Sequence, residues 1–207
     1  MKAPLPPAPT TRKALATYRS IIDATRAVVR SRGVVAPEAI AEKAGVSPAT
    51  FYTYFKSKDE ALAAAFDATL TDMTEDLDRL LSIETLLENG LESSMRTMVR
   101  SVVRGFARDA RIFRLAISRL PESLLVRDVY RHHESVILER LERFIRLAAA
   151  AHMVRADDAP TMAAALLITI QGYQNPLLLR QGSRQVVDEL TGMVVGMLAP
   201  SVSRGSS

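Results

Sequence analysis

Apolar positions recur at intervals of three and four along most of the chain. Strict alternation is never sustained long enough to make a strand. Leu15, Tyr18, Ile22, Thr25 and Val29 mark a first helix from about Thr11 to Arg32, and Gly33 stops it. Ile40, Ala41 and Ala44 mark a short second helix that ends at Gly45. Ser47 is placed to cap a third, whose apolar side is Phe51, Tyr54 and Phe55. Ser57-Lys58-Asp59-Glu60 has the form of a capping box and opens a fourth. The fourth carries Leu62, Phe66, Leu70, Met73, Leu77 and Leu80 in one stripe, over roughly 20 residues or about 30 Å.

Asn89-Gly90 breaks or bends the helical pattern. Leu91, Met95, Met98, Val102 and Phe106 predict a fifth helix. Ile112, Phe113, Ala116 and Leu120 predict a short sixth, closed by Pro121. A seventh runs from about Glu122 to Ala151, with Val126, Tyr130, Ile137, Leu141, Phe144 and Ala148 on one line and His133 on that same line. The eighth is capped by Asp157 or Asp158, has Pro160 in its first turn, and is ended or kinked by Pro176. Its Met162 to Ile170 stretch is nearly all apolar, which implies burial on more than one side. Ser183 caps a ninth with Val187, Leu190, Val194 and Met197; Gly192 and Gly196 on it permit close approach of another helix. The fold class is therefore all-α, with about nine helices. Residues 1–9, with four prolines, read as a disordered arm, and residues 201–207 as a disordered tail.

The pair of short helices around Gly45-Val46 has the form of a helix-turn-helix. Gly45 makes the turn, Val46 plugs it, and small Ala41 lets the two helices cross closely. In that motif the second helix enters the DNA major groove. Charge agrees. Residues 1–58 hold ten Lys and Arg against three Asp and Glu, net +7, while the rest of the chain is net −3. A basic head on a mildly acidic body suits a polyanion at one end only.

The stretch Ala39 to Leu62, and FYTYFKSKDEAL within it, resembles the signature of TetR-type transcriptional regulators: an aromatic-rich recognition helix, a lysine, then a long fourth helix. The resemblance implies a DNA-binding domain over residues 10–58, with a helical regulatory and dimerisation domain over 59–200. One feature departs from the family. Gly33-Val34-Val35-Ala36-Pro37 is about two residues shorter than the usual link between the first two helices, and Ala36 stands where a Thr or Ser commonly caps.

On the third helix, Ala49, Thr50, Tyr52, Thr53 and Lys56 are expected near the exposed side, after the capping Ser47. Thr50 and Thr53 offer hydroxyls to phosphates or base edges and methyls to thymine. Resemblance implies phosphate contact through Tyr52, Tyr54 and Lys58. No Arg, Asn or Gln lies on this helix, so specificity is expected to lean on shape and van der Waals contact.

Resemblance also implies a small-molecule effector held inside the body. The candidate lining is Met95, Met98, Val102, Phe106, Ile137, Met162, Leu166 and Ile170, with His133, Gln171, Tyr173 and Gln174 as polar contacts. That lining predicts a largely apolar effector. The expected mechanism is repression, relieved when the effector favours a spacing of recognition helices that no longer fits the operator. An all-helical carrier or enzyme, or a ligand-independent regulator or activator, is the alternative. Dimerisation is expected through the eighth and ninth predicted helices, with Val194 in the interface.

The absence of cysteine excludes disulfides and thiolate metal sites. The three histidines show no metal spacing with carboxylates, and no nucleophile, P-loop or dinucleotide motif is present, so neither enzyme activity, cofactor nor metal is expected. No apolar run reaches membrane length and the N-terminus lacks the apolar core of a signal peptide, so a cytoplasmic location is expected.

Overall fold

The computed structural model describes residue 5 and residues 8–155, 158–175 and 184–200. Among these residues the chain is helical throughout, with no strand. The helices are α1 (Arg12–Arg32), α2 (Pro37–Ala44), α3 (Pro48–Tyr54), α4 (Lys58–Leu80), α5 (Ile83–Arg119), α6 (Leu124–Ala150), α7 (Ala159–Gly172) and α8 (Arg184–Leu198).

By packing, the chain divides into two compact units that are discontinuous in sequence. The first is residues 1–72 with 108–134; the second is residues 73–107 with 135–207. α4, α5 and α6 each contribute to both. The sequence pattern puts the boundary at Lys58, between two helices. Packing instead gathers residues 108–134 to the head, a long-range association that no local signal announces.

In the first unit, α1, α2, α3 and the start of α4 close around Ile21, Ala24, Val28, Ile40, Ala41, Phe51, Phe55, Ala61 and Ala64. Leu5 packs against this cluster from the arm; residues 1–4, 6 and 7 of the arm lie outside the described residues. Further along, Phe66 is fully buried, edge-on to Phe113 at 5.5 Å and stacked on Tyr130 at 6.3 Å. These rings fasten α4 to α5 and α6 within the unit.

In the second unit, α7 packs on α8. Asp158 caps α7, accepting from the Thr161 N–H. Arg96 of α5 reaches Asp188 of α8 at 2.5 Å, and Arg140 of α6 pairs with Asp78 of α4. Gly105 sits where α5 meets α4: a Cβ there would stand 3.3 Å from the Met73 methyl.

Several local expectations are met with adjustments. Thr11 caps α1 through its side chain, and Pro37 opens α2 behind an Ala36 that makes no side-chain cap. Ser57 accepts from the Glu60 N–H at 3.1 Å, but the Glu60 carboxylate accepts from the Lys56 N–H rather than from Ser57. Gly90 interrupts α5 with φ 75° and ψ 166°, a conformation open only to glycine. The break expected between Phe106 and Ile112 is absent, and α5 continues to Arg119. Nothing in Ala107-Arg108-Asp109-Ala110-Arg111 stops a helix. The expected Pro176 and Ser183 signals and the tail 201–207 fall outside the described residues.

Tyr173, just beyond α7, is 2% exposed, and its hydroxyl has no hydrogen-bond partner among the described residues. Burial pushes its pKa up to about 12. The folded chain thus favours the neutral phenol. The stability this confers is complete below pH 10 and lost as pH rises toward 12. An unpaired buried hydroxyl is itself a cost, so Tyr173→Phe is expected to stabilise the chain by about 1 kcal/mol at neutral pH. It is also expected to flatten the loss of stability above pH 10. Urea unfolding of both chains across pH 7 to 11.5 checks both effects.

Candidate functional site

The reading head is built from local signals. Gly45 closes α2 at φ 69°, and the Val46 N–H bonds back to the Ala41 carbonyl at 3.0 Å. Glycine reaches that left-handed conformation without the Cβ penalty. The chain then turns into α3, where the Ser47 hydroxyl accepts from the Thr50 N–H at 3.1 Å. Phe51 and Phe55 face inward and are buried; Phe51 meets Tyr52 edge-on at 5.2 Å. Tyr18 of α1 stacks on Phe55 at 5.2 Å and lies 6.3 Å from Tyr54. Burial, then the carboxylates of Asp67 and Glu60, raise the Tyr18 pKa and keep its phenol neutral.

The opposite side of α3 is open. Ser47, Ala49, Tyr52, Thr53, Lys56 and Lys58 are exposed, and Thr50 and Tyr54 are partly so. The Thr53 hydroxyl donates to the Ala49 carbonyl at 3.1 Å, and the Ser47 and Thr50 hydroxyls lie 2.9 Å apart. Both threonine methyls and the second lone pairs of their oxygens remain for another molecule. Lys56 and Lys58 form no ion pair among the described residues. Arg12, Lys13 and Arg19 of α1 are exposed as well. The eight residues expected to meet DNA thus share one stretch of the head, with Tyr54 turned partly toward the core.

The residues expected to meet an effector are divided between the units. Met95, Met98, Val102, Phe106, Met162, Leu166, Ile170 and Tyr173 are buried, and Ile137, Gln171 and Gln174 are partly exposed; all of these belong to the second unit. His133 belongs to the first. It is 7% exposed, its Nε2 lies 2.9 Å from Asp67 Oδ1, and its Nδ1 has no partner among the described residues.

A cavity of about 300 Å³ in the second unit is lined by Leu77, Leu81, Ile83, Phe144 and Leu147, with Asp78, Glu84, Arg140 and Arg143 among its polar groups. None of these is among the twelve expected residues. The signal for it lies in the far ends of the α4 and α6 apolar lines, at Leu77 and Phe144. Their convergence is a tertiary fact that neither line carries by itself. Among the described residues no group of three or more His, Cys, Asp or Glu is placed to hold a metal ion. No described helix is long and apolar enough to cross a membrane.

Residues 21–65 match the sequence profile of the family described as bacterial regulatory proteins, tetR family. No curated protein matches the chain. Solved structures do. A TetR transcription regulator from Haloarcula marismortui is 17% identical, with a TM-score of 0.70 over 87% of this chain and 95% of that one. A TetR-family regulator from Mesorhizobium loti is 19% identical, with a TM-score of 0.71 over 92% of this chain and 100% of that one. A protein described as the flavonoid-responsive regulator FrrA is 26% identical, with a TM-score of 0.56 over 89% of this chain and 98% of that one. Residues 21–65 thus match the DNA-binding head of tetR-family regulators, and through the remaining helices the chain shares the all-helical fold of these solved regulators.

Proposed function

We propose that this chain is a non-enzymatic, cytoplasmic repressor that binds its operator as a homodimer and is released by a largely apolar small molecule. The observation that carries the DNA reading is the exposed face of α3, with Lys56 and Lys58 at its end. Lys58 stands in the first turn of α4, where backbone N–H groups and the helix dipole also favour a phosphate. Tyr52 adds a hydroxyl from an exposed ring. Without Arg, Asn or Gln on α3, bidentate base reading is absent. Thr50, Thr53 and Ala49 then supply thymine-methyl and hydroxyl contacts, and groove shape supplies the rest.

Two copies are needed because one seven-residue helix reads a single half-site. Val194 is fully buried in its own chain, which removes it from the expected interface. The apolar groups left outward are Ile168 on α7 and Met193 on α8, 68% and 64% exposed. Gly192 and Gly196 are exposed too, and a Cβ on either would meet nothing within 4 Å. These groups favour pairing of α7 and α8 with their symmetry mates.

An apolar effector is supported by the buried aliphatic and Met side chains of the second unit, from Met95 and Met98 to Met162 and Ile170. A charged ligand buried there without a partner meets a desolvation cost of several kcal/mol. The Tyr173 hydroxyl offers such a molecule one polar contact. A flavonoid-responsive relative of the same fold agrees with that chemistry. Release of a bound duplex by planar phenolic compounds, and its loss in Tyr173→Phe, tests this part.

The DNA reading predicts that Lys58→Ala weakens binding to all duplexes alike and lowers the salt slope by about one. Thr50→Ala is expected to change sequence preference instead. Fluorescence anisotropy across salt, on a duplex selected by the wild-type chain from random DNA, separates the two; an unchanged slope removes Lys58 from the interface. The dimer reading predicts that Ile168→Asp with Met193→Asp sediments as a folded monomer and binds a full operator poorly. A dimeric double variant places the interface elsewhere.

A further inference from the structure

We infer that the last third of α5 is a brace that sets how α2 and α3 are presented to DNA. Asp109, Arg111 and Arg119 are its positioning residues, although none lies on the reading face. The inference rests on the DNA-binding reading and extends it to residues far outside the matched head.

The reading pair is held in the chain by two ends. It enters from the C-terminus of α1 and leaves into the first turn of α4. Both ends are gripped by α5. At the first, the fully buried Asp109 carboxylate accepts from Arg30 Nε at 2.5 Å and from Arg108 Nε at 2.8 Å. Two residues on, the Arg111 guanidinium donates to the Arg30 carbonyl at 3.1 Å and also to the Ser31 carbonyl. Those are carbonyls of the last turn, which an α-helix leaves without intrahelical donors. Arg111 therefore caps α1 from outside, just before the short link from Gly33 to Pro37. At the second end, Arg119 Nη2 donates to Asp59 Oδ2 at 3.1 Å, in the first turn of α4. Arg119 is itself steadied by Glu122 at 2.6 Å.

Asp109 and Arg119 are ten residues apart on unbroken helix, or about 15 Å. A rigid rod of that length pinned at both ends fixes the separation of the two points between which α2 and α3 are strung. The short link has little slack to absorb a change at the α1 end. Phe66, set against Phe113 and Tyr130, keeps the rod seated on α4 between its grips. The charges decide the sign of the test. Asp109 is an acid in a basic head, so electrostatics alone makes its loss favourable to any DNA.

The test compares two duplexes, one selected by the wild-type chain from random-sequence DNA and one scrambled. Asp109→Asn and Arg111→Met are each expected to weaken the selected duplex about tenfold, as a positioning network does. Binding of the scrambled duplex is expected to stay constant, or to strengthen for Asp109→Asn. The salt slope of both variants is expected to match wild type, and Arg111→Lys, which still donates, is expected to restore selectivity. If Asp109→Asn does not fold by circular dichroism, the surface variants Arg111→Met and Arg119→Gln decide. Equal loss on both duplexes would mean general destabilisation and would overturn the brace. A slope reduced by about one in Arg111→Met would make Arg111 a phosphate contact and overturn it too. A wild-type chain that enriches no sequence would overturn the DNA reading and this inference together. Enrichment by wild type with unaltered variants would overturn the brace alone.

Discussion

A carboxylate with no exposed surface, Asp109, lies between the guanidinium groups of Arg30 and Arg108. A charge removed from water is tolerated only when it is paired and hydrogen-bonded, so this position depends on both partners at once. Removing either leaves a buried charge partly unmet, which costs several times what an exposed pair is worth. The i,i+3 pair of Arg79 with Asp76 and the i,i+4 pair of Arg146 with Glu142 sit on the surface, where screening and side-chain entropy leave little net gain. The two kinds of pair look alike as distances and differ in consequence. Asp109 ties the end of α1 to the last third of α5 within the first unit.

The rest of the head depends on this attachment. α1 is also held to α4 by Arg26 and Asp72 at 2.5 Å, and Asp67 of α4 holds His133 of α6. The helix-turn-helix is thus the small exposed part of a larger body, in which α1, α4, α5 and α6 supply the frame. α3 has only seven residues and a single side-chain cap. A helix that short is not stable alone, and its shape is maintained by the buried Phe51 and Phe55. Exposure of its other face is the functional result.

The reading head is legible in the sequence because its signals are local. Gly45, Ser47, Pro37 and the Phe51–Phe55 spacing each specify backbone or burial within a few residues. The brace is not legible, for a physical reason. Asp109 falls on the apolar line Val102, Phe106, Phe113, Ala116, at a position the pattern reserves for an apolar side chain. A buried acid there reads as a gap, and the gap reads as a helix break. Val194 misleads differently. An amphipathic helix shows which side is apolar, but not whether that side meets its own chain or a second copy. The residues expected to meet an effector are legible only as buried or half-buried. Which buried groups border a cavity depends on how helix ends converge, and Leu77 with Phe144 converge where no single stripe points.

Amide hydrogen exchange tests the dependence of the head on Asp109 most directly. It is followed by mass spectrometry on the full-length wild-type chain and on Asp109→Asn under native conditions. Exchange is predicted to rise together at the end of α1, residues 28–33, and at the start of α4, residues 58–62. It is predicted to stay at the wild-type level across residues 95–103 of α5 in the second unit. A rise confined to the immediate neighbours of residue 109, or one spread evenly over both units, would contradict the claim that this carboxylate holds the reading head in place.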